Sequence, residues 1–200
     1  MTGAVDGTAV AISGDGSTAL VNGVGTGFGA VFVFHWSGTT WIQQQILTDK
    51  NSAIDQSFLG TGVSLSANGS IAFIGAESGD DGYGAVFLFT RTGTTWTQQQ
   101  TMTAAADVDG EATVVALSAD GSVALAAVNG PEDTHGTVYV FQCRATQCVH
   151  KQAIAVTSQP FGYGNGFGGY VSLSSAGTTA LIGTGYASDP VDAAWVFTTG

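Results

Sequence analysis

The chain reads GTTWIQQQ at residues 38–45 and GTTWTQQQ at residues 93–100, seven letters of eight agreeing at a distance of 55 residues. A period of this size marks stacked repeat units, so further copies of the surrounding pattern are expected. Three other anchors recur. The first is a turn with its flanks: AISGDGSTAL (11–20), SLSANGSIAF (64–73), ALSADGSVAL (116–125) and SLSSAGTTAL (172–181), whose marker residues Ser13, Ser66, Ser118 and Ser174 step by 53, 52 and 56. The second is an aromatic run: AVFVF (30–34), AVFLF (85–89), TVYVF (137–141) and AAWVF (193–197). The third is a glutamine after that run, Gln45, Gln100 and Gln152.

Asp-Gly and Asn-Gly pairs supply the positive φ that tight hairpins use. The flanks alternate with period two, as a strand does. AVFVF is apolar at every position, which suits a strand covered on both faces. WIQQQIL reads as the strand after it. One unit is thus four short antiparallel strands in about 50 residues. A lone unit leaves its sheet faces bare, and stacking covers them. The expectation is an all-β chain, a β-propeller of about four four-stranded blades within a single domain over residues 1–200. The approximate units are 8–60, 61–112, 113–168 and 169–200. A stacked sandwich or solenoid is the competing architecture.

The register also places the two cysteines. Trp41 and Trp96 each follow the last Phe of the aromatic run by seven residues, and the same step from Phe141 gives Cys148. Cys148 thus replaces the hairpin Trp, and Cys143 faces it across the turn, within reach of a disulfide. That pairing implies an oxidising compartment.

Composition narrows the function. Charged residues are 10% of the chain, glycines number 30, and the net charge is −11 with only four Lys and Arg. Such a surface repels nucleic acid and anionic membranes. No apolar run reaches the length that spans a bilayer. The start, MTGAVDGTAV, lacks the basic and apolar regions of a signal peptide. A processed chain or a piece of a longer one is therefore expected. The fourth unit stops at AAWVFTTG without its Trp and Gln strand, so the last blade lacks its outer strand. A blade left open in this way invites association.

The unit "F-G, strand, S-x-D-G, A-L-V/I-G, Gly-rich loop, G-A-V-F-V-F, G-x-x-W-x-x-Q" resembles the bacterial FG-GAP repeat, related to the blades of the integrin alpha-subunit propeller. Its best matches are IAFIGAESGDDGYGAVFLF (71–89) and ALIGTGYASDPVDAAWVF (180–197). The FG dipeptide survives as Phe167-Gly168, is degraded in Phe58-Leu59-Gly60, and reads EAT at 111–113. The resemblance implies a propeller serving adhesion or assembly at the cell surface or outside the cell. It also implies calcium in a D-x-D-x-D-G loop, but the matching turns carry at most one carboxylate each, Asp15 or Asp120, too few for an ion that takes six to eight oxygens.

Other carboxylates lie in connecting loops. Asp107, Asp109 and Glu111 alternate and are candidates for calcium, against the reading that they are solvated acidic turns. Asp80 and Asp81 are adjacent in such a loop, and Glu132, Asp133 and His135 read either as a surface loop or as a metal site. None of His35, His135 and His150 sits in a motif with a mechanism. The run FGYGNGFGGY (161–170) offers Phe161, Tyr163, Phe167 and Tyr170 as rings for stacking on a sugar. Asn68-Gly69-Ser70 is an N-glycosylation sequon and also an ordinary hairpin turn. The expectation is a non-catalytic extracellular or cell-surface module that binds a protein or glycan and associates with itself through the incomplete blade. The alternative is a glycan-acting hydrolase or lyase, or a carbohydrate-binding lectin.

Overall fold

A computed structural model describes residues 4–24, 29–49, 58–77, 84–103, 111–129, 136–156, 166–185 and 193–199. It is all-β, with four antiparallel sheets arranged as the blades of a four-blade β-propeller. Blade 1 is β1 (Ala4–Ile12), β2 (Thr18–Val24), β3 (Gly29–Trp36) and β4 (Trp41–Leu47). Blade 2 is β5 (Phe58–Leu65), β6 (Ile71–Glu77), β7 (Ala85–Thr92) and β8 (Thr95–Thr103). Blade 3 is β9 (Glu111–Leu117), β10 (Val123–Asn129), β11 (Thr137–Arg144) and β12 (Gln147–Ala155). Blade 4 has three strands, β13 (Phe167–Leu173), β14 (Thr179–Thr184) and β15 (Ala194–Thr198). In each sheet the strands pair in sequence order.

The repeated turn joins the first two strands of every blade, and its chemistry is local. In blade 1 the Gly16 N–H donates to Ser13 O at 2.9 Å, and Gly16 takes φ +69°. The sister glycines Gly69, Gly121 and Gly177 also have positive φ. The preceding Asp or Asn does not share that conformation, contrary to the sequence expectation. Its role is to accept hydrogen bonds: the Asp15 carboxylate takes the Ser13 hydroxyl at 2.6 Å and the Ser17 N–H at 2.9 Å. Side chains that bond their own turn in this way compete with other uses of the carboxylate.

Packing lies between the blades. The face of blade 1 carrying Leu20, Val33 and Leu47 meets Ile74, Phe87 and Trp96 of blade 2. The opposite face of blade 2, with Phe73, Leu88 and Met102, meets Leu117, Phe141 and the cysteine pair of blade 3. Leu125, Val140 and Ile154 of blade 3 then meet Phe167, Ile182 and the partly buried Trp195 of blade 4. The middle blades are buried on both faces, so β6 and β7 are covered at nearly every position, as their unbroken apolar runs require. The turns add a ladder of main-chain bonds from blade to blade, Asp15 N–H to Ala67 O, Ala67 N–H to Ala119 O, and Ala119 N–H to Ser175 O.

The FG dipeptide acquires a structural reason in blade 4. Phe167 is buried, with its ring edge-on to Trp195 and Phe197. Gly168 has φ +90° at a break in the β13–β14 register, where a Cβ would lie 3.0 Å from the Ala127 methyl of blade 3. Leu59-Gly60 repeats the arrangement in blade 2, with φ +103° at Gly60 and a Cβ position 2.9 Å from both Asn22 and Val31. Glycine is needed both for the left-handed backbone and for the approach of the neighbouring blade.

Candidate functional site

Each blade has a face toward the blade before it and a face toward the blade after it. The inner strands follow one another as β1 on β5, β5 on β9 and β9 on β13. Among the described residues no comparable packing joins β13 back to β1, so the seam between blade 4 and blade 1 is open. Its two walls are apolar. On blade 1, Val10 is 65% exposed and Ile12 62%. On blade 4, Val196 is 71% exposed and Leu181 49%. Burial along β15 alternates strictly, with one side on blade 3 and the other in solvent.

These walls repeat the chemistry of the buried interfaces position by position. Val10 and Ile12 of blade 1 correspond to Val63 and Leu65, Val115 and Leu117, and Val171 and Leu173, all packed against the preceding blade. Leu181 and Val196 of blade 4 correspond to Leu20 and Val33, Phe73 and Leu88, and Leu125 and Val140, all packed against the following blade. Not all of blade 1's outer wall is bare, since Phe32 on that face is buried. A shallow depression of about 550 Å³ on the blade 4 wall is lined by Tyr170, Gly183, Thr184, Gly185, Ala193 and Ala194.

Outer strands are tied across blades by glutamine. The Gln45 Nε2 donates to Trp96 O at 3.0 Å, and the Trp96 N–H donates to Gln45 Oε1 at 2.8 Å. Gln100 repeats the clamp on Cys148, at 3.0 Å and 2.6 Å. The recurrence of these glutamines is visible in the sequence, but what they hold is not.

Cys143 and Cys148 form a disulfide, as the register predicts, joining β11 to β12 across the turn. The bond sits in the core between blades 2 and 3, where the corresponding Trp96 fills the core between blades 1 and 2. A disulfide suggests a setting other than the cytoplasm. No helix among the described residues is long and apolar enough to cross a membrane, which leaves β-barrel spans unaddressed.

Asp107 and Asp109 lie outside the described residues, and Glu111 opens β9 without a described side chain. Asp80, Asp81, Glu132, Asp133 and His135 also lie outside. Among the described residues no three His, Cys, Asp or Glu side chains gather in a metal-holding group. In the repeated turns the Oδ1 atoms of Asp15 and Asp120 accept the turn hydrogen bonds, and each turn brings at most this one carboxylate. Those bonds, led by the Ser13 hydroxyl, hold the Asp15 carboxyl down to about 2, and Asp120 is lowered in the same way by the Ser122 N–H.

Phe161 and Tyr163 fall outside the described residues. The structure separates the remaining two rings of the candidate ligand loop. Tyr170 is exposed beside the depression, whereas Phe167 is buried between blades 3 and 4 and is corrected from ligand platform to core. The period-two pattern puts it on the covered face, where the Gly168 bulge begins. Asn68 is exposed, its side-chain oxygen accepting from Ser66 and Ser70 within the turn. The His150 ring lies tilted against Tyr139 and Phe141 on the outer hairpin, with ring centres 5.4 Å and 6.0 Å away.

No protein-family model matches the chain, and no curated protein matches it in sequence. Solved structures do share its fold. It is similar to the hydrazine synthase of Kuenenia stuttgartiensis at 14% identity and a TM-score of 0.64, over 97% of this chain and 46% of that one. It is similar to TolB from Acinetobacter baumannii at 13% identity and a TM-score of 0.57, over 98% and 41%. The β-propeller domain of Cps50 (Swd1) from Myceliophteria thermophila matches at 11% identity and a TM-score of 0.59, over 96% and 68%. The chain spans less than half of the first two. At such identities the likeness shows the β-propeller fold alone, carried by proteins of diverse function.

Proposed function

We propose that this chain is a non-catalytic binding and assembly module of FG-GAP-like blades, working at the cell surface or outside the cell. It assembles by seating the open wall of blade 4 on the open wall of blade 1 of a second copy. The observation that carries this reading is the chemical match of the two walls to the three interfaces already buried within the chain. Exposed apolar surface organised in this way marks interaction sites. A contact between two different walls is heterologous, so it closes into a ring or runs on as a filament. The turn ladder supports the same direction: it ends on Ser175, whose N–H corresponds to the donors at Ala67 and Ala119.

Light scattering coupled to size exclusion tests the proposal. The expected result is an oligomer that Val196→Asp and Val10→Asp each abolish. Mixing the two variants restores a heterodimer, because each keeps one intact wall. A monomeric wild-type chain overturns the assembly reading. A Val10→Asp variant that still dimerises with itself overturns the head-to-tail geometry. A glycan-binding reading rests on exposed Tyr170 beside the blade 4 depression. It is tested by glycan-array binding of the wild type against Tyr170→Ala, and equal signals from the two end it.

A further inference from the structure

Asn68 occupies a turn position that the sister blades fill differently. Blades 1 and 3 carry Asp15 and Asp120 there, and blade 4 carries Ala176. In blades 2 and 3 a single side-chain oxygen does the same work. Asn68 Oδ1 accepts the Ser66 hydroxyl at 2.9 Å, the Ser70 N–H at 3.0 Å and the Ser70 hydroxyl at 2.7 Å. Asp120 Oδ1 accepts the matching three, from the Ser118 hydroxyl, the Ser122 N–H and the Ser122 hydroxyl. A main-chain N–H only donates, so the Asn68 atom facing it is the amide oxygen. The amide nitrogen is left over. Asn68 Nδ2 has no hydrogen-bond partner among the described residues, and the residue is exposed. An aspartate serves the turn equally well, so the needs of the turn do not account for the free carboxamide nitrogen.

We propose that Asn68 is the acceptor of an N-linked oligosaccharide. Asn68-Gly69-Ser70 has the required order, and no other Asn of the chain stands two places before a Ser or Thr. The reaction joins Nδ2 to the anomeric carbon of a lipid-pyrophosphate-linked sugar. The bond from that carbon to phosphate breaks, the lipid pyrophosphate leaves, and Nδ2 gives up one proton. Only Nδ2 changes, so the three bonds on Oδ1 persist and the folded turn carries the sugar without rearrangement. The site rests on the reading above that the chain works at the cell surface or outside the cell, which the Cys143–Cys148 disulfide supports. It goes beyond that reading by assigning a part of the molecule to solvent. The turn joins β5 to β6 in blade 2, whereas the exposed apolar walls belong to blades 1 and 4. A bulky, hydrated glycan on this turn keeps it clear of protein contact and leaves both walls uncovered.

The test sends the whole chain through the secretory pathway of cultured eukaryotic cells. Intact mass is read before and after an endoglycosidase specific for N-linked glycans. The expected result is one glycan per chain, lost on digestion, with digestion in heavy-oxygen water leaving the isotope at residue 68 alone. Ser70→Ala abolishes the modification. Ser70→Thr keeps it, and Thr178 already fills that turn position in blade 4. Asn68→Asp removes the glycan and leaves the melting temperature at that of the digested wild type, because Asp15 and Asp120 hold the sister turns in the same way. A secreted wild-type chain with an oxidised cysteine pair and no glycan overturns the proposal and leaves the extracellular reading standing. Deamidation of Asn68 in place of a glycan overturns it equally, as does a glycan that persists in Asn68→Asp. Light scattering reads assembly separately, so a monomer that carries the glycan upholds this proposal while ending the wall-to-wall one.

Discussion

Trp41 and Trp96 sit in almost the same eight letters, yet Trp41 is 40% exposed and Trp96 1%. The difference is the neighbour. Blade 1 covers Trp96, and no described residue covers Trp41 in the same way. Trp41 instead tilts against Trp36, ring centres 5.5 Å apart. Truncating a fully buried aromatic typically costs about 3–5 kcal/mol, so Trp96→Ala is expected to destabilise the chain by that amount and Trp41→Ala by about 1 kcal/mol or less. Paired thermal melts check the contrast, and equal losses would mean that blade 1's outer wall is covered. The turn carboxylates give a second residue-scale test. Asp15 is held at about 2, below its usual 3.8, first by the Ser13 hydroxyl and then by the Ser17 N–H. A folded value below the unfolded one contributes stability above the unfolded value and loses it as pH falls through the folded one, here between about 3.8 and 2. Carbon-13 NMR of the carboxyl in Ser13→Ala should therefore show its titration moving up toward 3.8. The turn was legible from its letters because the hydrogen bonds that close it join residues no more than five apart. The fate of each tryptophan was not, because burial depends on a blade some 50 residues away.

At the scale of elements, the hairpin β11–β12 shows what the repeat made readable. Counting seven residues from Phe141 placed Cys148 in the tryptophan position, and the disulfide stands there. Closing so short a loop contributes about 2 kcal/mol in the chain-entropy account. The double change Cys143→Ala with Cys148→Ala should therefore lower the melting temperature by roughly 4–8 °C for a chain of this size. The glutamine clamps were half legible. Their recurrence was plain, but a glutamine on a strand surface is normally a solvent residue, and its partner lies 48 or 51 positions away on another sheet. Gln100→Ala removes two hydrogen bonds at the seam of blades 2 and 3. At about 1 kcal/mol each the loss is about 2 kcal/mol, measured by urea unfolding, where an unchanged midpoint would reduce the clamp to a surface contact. The FG glycines belong to the same class. Gly168 and Gly60 announce a bend, while the neighbour that forbids a Cβ is visible only in three dimensions.

For the whole molecule, repetition turns one interface into four opportunities, of which the described chain uses three. Repeat arrays depend on contacts between neighbouring units. On blade 4, Leu181 and Val196 face solvent at positions where every other blade buries its counterpart. That the last blade has three strands was legible from the missing Trp and Gln letters. That the two outer walls suit each other emerged only once the register showed which face each residue occupies. If a second copy covers these walls, folding and assembly are linked, and the folded state gains from mass action. For a folded dimer in equilibrium with unfolded chains, a tenfold rise in concentration adds about 0.7 kcal/mol per chain. At 200 residues this corresponds to roughly 2 °C in melting temperature. Calorimetric scans across a hundredfold range should thus show the midpoint climbing by about 4 °C for the wild type and holding still for Leu181→Asp. A wild-type midpoint independent of concentration would mean that the walls stay bare, and that the chain's stability resides in its three internal interfaces alone.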